Sequence, residues 1–293
     1  MQIQLSPGKY IIAVSGGIDS VVLLDVLSQL SDVELVVAHV DHGIRPDSGE
    51  DAALVRGLAE KYQLPFESAS LNLGARTAEA TAREKRYAWL EAVRQRYGAD
   101  AIVTAHHRDD VVETIIINLM RGTGWRGLAS LRETSHIHRP LLNTSKIEVV
   151  TYAIDHNLSW REDNTNDDVR YLRNYIRHGI TPRFNLAATE QLVDLYHAQC
   201  KLRNEIETEN ARIAAVASEG KDLRRYWLVM LPDPVAHEQI RQKFGALTYE
   251  HSVRLLHFVR VARPGSILEL GAGRNFRVTA RLVIALEARN LVS

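Results

Sequence analysis

The sequence predicts an α/β fold: a parallel sheet flanked by helices, followed by a helical linker and a small α+β C-terminal domain. Three observations carry that expectation. Short apolar runs alternate with longer segments of helical period through the first half of the chain, the signature of strand–helix–strand units. Polar clusters stand at the ends of three of those runs, at residues 15–20, 39–45 and 106–113, where open parallel sheets bind their ligands. Near Asp222 the texture changes, and short apolar runs and glycine turns replace the long alternation.

Tyr10-Ile11-Ile12-Ala13-Val14 reads as the first strand, and Val21-Val22-Leu23-Leu24 lies in the helix that follows a glycine turn. Residues 33–40 form a second buried-looking strand. A helix over about 48–62 carries Leu54, Val55 and Leu58 on one face. A short strand at 66–69, a long helix at 77–97, a strand at 100–105 and a helix at 108–120 continue the order. Right-handed crossovers then give a parallel sheet covered on both faces. A further helix is expected at 146–156, capped near Asn143 or Thr144. Residues 157–183 are rich in Asn, Asp and Arg and end at a proline break, Pro182. A long, interrupted helical stretch over 186–218 is expected next. The expected domains are residues 1–184, a linker over 185–221 and a C-terminal domain over 222–293.

At 293 residues the chain is long enough to bury one large or two modest cores. Its formal net charge is zero, so composition alone argues for no nucleic-acid partner. The charge is uneven, however: from Arg241 onward nine basic residues face three acidic ones, a net +6. Such a tail suits phosphate backbone, and equally suits a solvated arginine surface. Cys200 is the single cysteine, which excludes an intrachain disulfide and any cysteine-built zinc or iron–sulfur site. No apolar run approaches the roughly 18–20 residues of a membrane span. The start of the chain lacks the pattern of a secretory leader. The expectation is a cytoplasmic protein with no membrane partner.

The turn Ser15-Gly16-Gly17-Ile18-Asp19-Ser20 lies between strand and helix. Two glycines let the backbone pass close to a ligand, and the helix start offers unpaired amides and the positive end of a dipole. With the Ser15 and Ser20 hydroxyls these form a candidate phosphate grip; simple capping by Asp19 or Ser20 is the plainer alternative. The run His106-His107-Arg108-Asp109-Asp110-Val111-Val112-Glu113 puts Asp110 and Glu113 three apart on one helix face. Two acids there can hold Mg²⁺ or grip a cationic substrate. The same histidines, taken with His39-Val40-Asp41-His42, also permit a two-metal hydrolase. Arg83, Lys85, Arg86, Arg139, Arg173 and Arg177 could neutralise a polyphosphate or contact RNA. No G-x-x-x-x-G-K-[S/T] motif is present, so no lysine of the usual kind cradles phosphates. The G-x-G-x-x-G pattern of nicotinamide sites is absent as well.

The turn at 15–20 resembles the signature of the N-type ATP pyrophosphatases. Within that group the chain closely resembles the tRNA(Ile)-lysidine synthetase family. The resemblance rests on His39-Val40-Asp41-His42-Gly43-Ile44-Arg45, Arg83-Glu84-Lys85-Arg86-Tyr87, the stretch from Thr104 through Thr114, Arg121-Gly122-Thr123-Gly124, Arg139-Pro140-Leu141-Leu142, Glu162-Asp163-Asn164-Thr165-Asn166 and Arg173-Asn174-Tyr175-Ile176-Arg177. It implies a Rossmann-like sheet of the adenine-nucleotide alpha-hydrolase type. It also implies an ATP- and Mg²⁺-dependent ligation of L-lysine to the wobble cytidine of isoleucine tRNA with a CAU anticodon, through an adenylated base. By resemblance Ser15, Gly16, Gly17, Ile18, Asp19, Ser20 and His106 bind ATP. Asp19, Asp110 and Glu113 hold metal or lysine, and Arg86 and Arg177 stand near the reacting groups. A tRNA thiolase of the same group is disfavoured, because those enzymes use paired cysteines. Oligomeric state stays open, a homodimer among the alternatives.

Overall fold

The computed structural model describes residues 1, 3–41, 48–71, 79–162, 172–245, 247–271 and 273–286. Its contacts divide it into two compact units, Met1–Cys200 and Lys201–Ser293.

The first unit is built on strands β1 (Gly8–Ala13), β2 (Val33–Asp41), β3 (Phe66–Ser70), β4 (Ala101–Val103) and β5 (Ile137–His138). They pair in the order β3-β2-β1-β4-β5, every pair parallel. Helices α1 (Ile18–Ser28), α2 (Ser48–Lys61), α3 (Glu79–Tyr97), α4 (Arg108–Met120), α5 (Trp125–Leu128) and α6 (Lys146–Asp155) follow the strands. The period-two alternation of β1 sorts the core into two layers. Tyr10 and Ile12 pack with Val21, Leu24 and Leu27 of α1, Val55 of α2 and Val149 of α6. Ile11 turns the other way, with Val36, Ile102 and the α3 residues Leu90 and Val93. Sheet order reverses at β1: the chain proceeds outward through β2 and β3, then returns to place β4 on the other side. Such a reversal opens a crevice at the carboxyl ends of the two central strands.

The expected cap of α6 shifts by one residue. Ser145, not Asn143 or Thr144, is the cap, and it forms a capping box with Glu148. The strand expected over 100–105 narrows to three residues. Beyond α7 (Leu172–Tyr175) come a π-helical turn over Ile176–Ile180 and a 3₁₀ turn over Thr181–Arg183. Helix α8 (Leu186–Ala217) runs 32 residues without the expected break, and the division between units falls within it. The expected start of the long helix at Thr77 lies outside the described residues.

The second unit holds an antiparallel sheet in the order β6-β7-β10-β9-β8, from Ser218–Glu219, Asp222–Arg224, Leu282–Leu286, Asn275–Val278 and Ile267–Glu269 respectively. Helices α9 (Arg225–Met230), α10 (Asp233–Phe244) and α11 (Tyr249–Val261) accompany it. Leu223, Leu228, Ile240, Leu255, Val259, Phe276 and Val283 share its core. The apolar run 227–231 thus lies mostly in a helix, and Pro234 near the start of α10 suits a first helical turn.

Candidate nucleotide site

Residues 15–20 close on themselves as they leave β1. The Ser15 amide donates to Ser20 Oγ at 3.1 Å, Ser20 Oγ donates to the Gly17 carbonyl at 2.9 Å, and the Gly17 amide donates to Ser15 Oγ at 3.3 Å. Gly16 adopts φ +95°, a left-handed conformation that favours glycine. Its carbonyl accepts from the Arg161 amide at 3.0 Å, and the Arg161 side chain pairs with Asp51 and Glu50 on α2. Gly17 caps α1 with no side-chain acceptor, which leaves first-turn amides as donors for an anion. The plainer capping by Asp19 or Ser20 therefore does not describe this turn.

Above the loop lies a cavity of about 360 Å³, within the usual range for small-molecule sites. Ser15, Gly17, Asp19 and Ser20 line it from the β1 turn, Val40 from β2, Arg86 from α3, and Thr104 and His106 from the end of β4. The crevice at the strand reversal is thus a chamber with hydroxyls and amides at one end. His106 Nδ1 lies 2.9 Å from Thr104 Oγ1. Burial is the main reason its imidazole is held far below the ordinary histidine value, so it stays neutral at physiological pH. Burial likewise pulls the Arg86 guanidinium down from its usual value.

Acids and cations alternate along the rim. Lys146 Nζ lies 2.5 Å from Asp19 Oδ1. His107 is buried, with Nε2 3.8 Å from Asp19 and 3.6 Å from Asp110, and Nδ1 3.6 Å from Asp109. Burial pulls the His107 imidazole down, but the nearby carboxylates of Asp109, Asp110 and Asp19 outweigh it and raise the net value. Burial pushes the Asp110 carboxyl up, and the neighbouring His107, His106 and Arg173 more than offset it, leaving it below its usual range. The α4 start that places these groups is fixed by the His107 amide, which donates to Asp110 Oδ2 at 3.0 Å.

Glu113 sits deeper than its partner acid. Its side chain is 3 % exposed, and guanidiniums engage both of its oxygens. Arg177 donates through Nε at 2.6 Å and Nη2 at 3.0 Å, and Arg173 through Nε at 3.0 Å. Arg177 belongs to the π-helical turn, a local widening common at functional sites. Its Nη2 also lies 3.5 Å from Asp110 Oδ1. Glu113 is thus an anchor for two arginines rather than an acid open to a metal ion. Asp19 does fit Mg²⁺, an ion held by one or two carboxylates and otherwise by phosphate oxygens and water, because its carboxylate borders the cavity beside the loop donors. Among the described residues no group of three or more His, Cys, Asp or Glu could hold a metal ion. His39 is buried with Nδ1 2.9 Å from the Val14 carbonyl. The hydrolase alternative therefore finds no cluster among these residues; His42 lies outside them.

The structure brings Ser15, Gly17, Asp19, Ser20, Arg86 and His106 to one cavity, with Asp110, Glu113 and Arg177 in a linked charge network. Gly16 supports the loop from behind. Sequence reasoning missed Lys146 and Arg161. Of these only Arg161 carried a signal, its place in an Arg/Asp/Asn-rich stretch. The expected residues 42–45 and 163–166 lie outside the described part.

A family model for the PP-loop domain matches residues 2–184. The chain belongs to the PP-loop family. Among curated relatives, a tRNA(Ile)-lysidine synthase of Nitrosomonas europaea is 32% identical over 87% of this chain and 63% of its own length. The enzyme of the same name from Exiguobacterium sibiricum is 40% identical over 62% of this chain and 44% of its own length. That of Thermotoga maritima is 36% identical over 69% and 52%. The chain therefore spans about half to two thirds of the length of these relatives. Among solved structures, the U34-tRNA thiolase NcsA of Methanococcus maripaludis matches 69% of this chain and 73% of its own at 16% identity, with a TM-score of 0.48. So distant a likeness adds nothing to the assignment. No helix among the described residues is long and apolar enough to cross a membrane.

Proposed function

We propose that this PP-loop protein joins the ε-amine of L-lysine to the wobble cytidine of an isoleucine tRNA with a CAU anticodon, converting ATP to AMP and pyrophosphate. The observation that carries the reading is the hydroxyl-and-amide loop at one end of the cavity, linked through Asp19 and His107 to the acid-bearing start of α4. A loop of this kind suits a doubly phosphorylated leaving group, and the acids suit an ammonium. The names of the relatives supply the substrate class.

In this scheme the oxygen on carbon two of the cytosine attacks the α-phosphorus, and pyrophosphate leaves toward residues 15–20. The lysine amine then adds to carbon two, and AMP departs with the original oxygen. Ser15, Ser20 and the loop amides bind the leaving pyrophosphate and stabilise its charge as it forms. Asp19, with Asp110, would hold Mg²⁺, which supplies further charge neutralisation on the phosphates. Asp110 orients the lysine ammonium. Arg86 contacts the phosphate that becomes AMP, and Arg177, held by Glu113, meets the same charge from the side of α4. Neutral His106 can donate or accept a hydrogen bond beside the nucleotide without adding a charge. The basic C-terminal unit contacts the tRNA backbone. The single cysteine, Cys200, leaves the thiolase alternative without its sulfur-carrying pair.

Incubation with labelled lysine, ATP, Mg²⁺ and the CAU isoleucine tRNA tests this reading. Lysine should enter the tRNA, and Asp110→Asn should abolish transfer while leaving most of the ATP affinity. ATP binding without lysine incorporation would sink it.

A further inference from the structure

The phosphate loop contains no lysine, yet the fold delivers one to its rim. Lys146 lies 127 positions from Asp19 in the chain, and its Nζ stands 2.5 Å from Asp19 Oδ1. Its main chain is pinned: the Lys146 amide donates to Asp109 Oδ2 at 2.8 Å. The helix it opens is capped by Ser145, whose Oγ accepts from the Glu148 amide at 3.2 Å. Six residues further along each helix, Tyr152 donates to Asp25 Oδ2 at 2.8 Å and ties α6 to α1 a second time. The ammonium is therefore presented by a fixed backbone on a long, partly exposed stem; the side chain is 39 % exposed.

An exposed ion pair of this kind adds little to stability, so its meaning lies in its position. Asp19 lines the cavity beside Ser15, Gly17 and Ser20. A bare carboxylate there would repel the phosphates that the loop is built to receive. Lys146 cancels that charge in the free protein.

We propose that Lys146 is the phosphate-binding lysine of this site. On nucleotide entry its ammonium leaves Asp19 for the pyrophosphate half of ATP, and Asp19 turns to the Mg²⁺ that accompanies it. The inference rests on the reading of the cavity as a site where ATP loses pyrophosphate; it does not depend on which molecule accepts the adenylate. One counterion replaces another, and only side-chain torsions change because the Lys146 backbone is held. A charge-assisted contact there stabilises the leaving group as the bond between the α- and β-phosphates breaks. It performs the task for which other phosphate loops carry a lysine within their own motif.

The test is calorimetric titration of the full chain with inorganic pyrophosphate and, separately, with AMP, in Mg²⁺-free buffer. Lys146→Met should weaken pyrophosphate binding by about tenfold or more and AMP binding by less than about twofold, and Lys146→Arg should restore most of the loss. Unchanged pyrophosphate affinity, or equal losses for both ligands, would overturn the proposal. The double variant Asp19→Asn with Lys146→Met separates contact from repulsion. A persistent pyrophosphate deficit supports direct contact, whereas full recovery means that Lys146 only silences Asp19, and overturns it. A wild-type protein that binds pyrophosphate but transfers no lysine to tRNA would refute the tRNA reading and leave this inference standing. One that binds no pyrophosphate would overturn both.

Discussion

Replacing Glu113 by glutamine removes one negative charge from beneath two guanidiniums. The side chain is 3 % exposed and accepts three hydrogen bonds, two from Arg177 and one from Arg173. Glutamine preserves the shape, but its amide nitrogen must face a donor. Breaking one partner out of a buried ion pair costs about 3–5 kcal/mol. The arginine side chains are 29 % and 33 % exposed, so water recovers part of that, and Asp110 remains 3.5 Å from Arg177 Nη2. A net loss of about 2–3 kcal/mol follows. For a unit the size of Met1–Cys200 this lowers the melting temperature by roughly 5–10 °C. Urea unfolding of Glu113→Gln, Arg177→Gln and the double variant forms a cycle, which should return a coupling of at least about 1 kcal/mol. Lysine transfer should fall further than ATP affinity, because Arg177 loses its place while the phosphate loop does not. A coupling below about 0.5 kcal/mol would refute the anchoring role and return Glu113 to the pool of candidate metal ligands.

Four further outcomes follow from other parts of the structure. Asp25→Ala strands Tyr62 (2.5 Å), Tyr152 (2.8 Å) and Gln29 (2.9 Å) without their shared acceptor; urea unfolding should show a loss of about 3 kcal/mol, against about 1 kcal/mol for Tyr152→Phe. Burial drops His106 to about 3, so between its unfolded value near 6.5 and that point the unfolded chain takes up a proton the folded chain refuses, and stability falls as pH falls. His106→Gln should flatten that slope between pH 6.5 and 4. His107 has the opposite sign: raised in the folded chain, it contributes stability below pH 6.5 that is lost as pH rises through the folded value, so the deficit of His107→Gln should be larger at pH 5.5 than at pH 8.5. In the C-terminal unit Arg254 and Arg277 are exposed; reversing each to Glu should reduce tRNA affinity and lower the slope of log K against log salt by about one, with ATP affinity unchanged.

The elements that were plain in the sequence are those whose signal is local. Residues 10–14 and 35–38 are continuous apolar runs, as strands buried on both faces must be, and β1 and β2 stand there. Helix α4 matched at both ends, since a first turn of acids is a helix start in its own right. The two-residue β5, Ile137–His138, is too short to show a period, and the helical run at 225–230 was hidden because a short apolar segment looks alike in either state. The site divides the same way. Ser15, Gly17 and Ser20 are neighbours in sequence and could be read together. Lys146 and Asp19 are brought together only by the packing of α6 on α1, and a lysine at a helix start has no local mark that sets it apart. The destination of Glu113 was illegible for a related reason. Asp110 and Glu113 share a helix face, but Glu113 takes the arginine hydrogen bonds because α7 and the π-helical turn at 176–180 carry Arg173 and Arg177 to it, with Asp110 at 3.9 and 3.5 Å from them.

That division of labour between the two acids bears on how a site this dense in charge can be assembled at all. Four carboxylates, from Asp19, Asp109, Asp110 and Glu113, crowd one rim, and like charges so placed would raise one another's proton affinity. Yet Asp109 and Asp110 are held below their ordinary range: burial pushes both up, and the facing His107, with a backbone amide, outweighs it. Each acid faces a basic group: Lys146 beside Asp19, His107 shared by Asp109 and Asp110, and Arg173 and Arg177 against Glu113. A triphosphate or an ammonium can enter such a rim by exchanging counterions rather than by forcing a bare charge out of water. The exchange is easiest where the pair is most exposed, at Lys146 and Asp19, and hardest where it is most buried, at Glu113. The first pair can therefore switch with each turnover, while the second keeps Arg177 in place throughout.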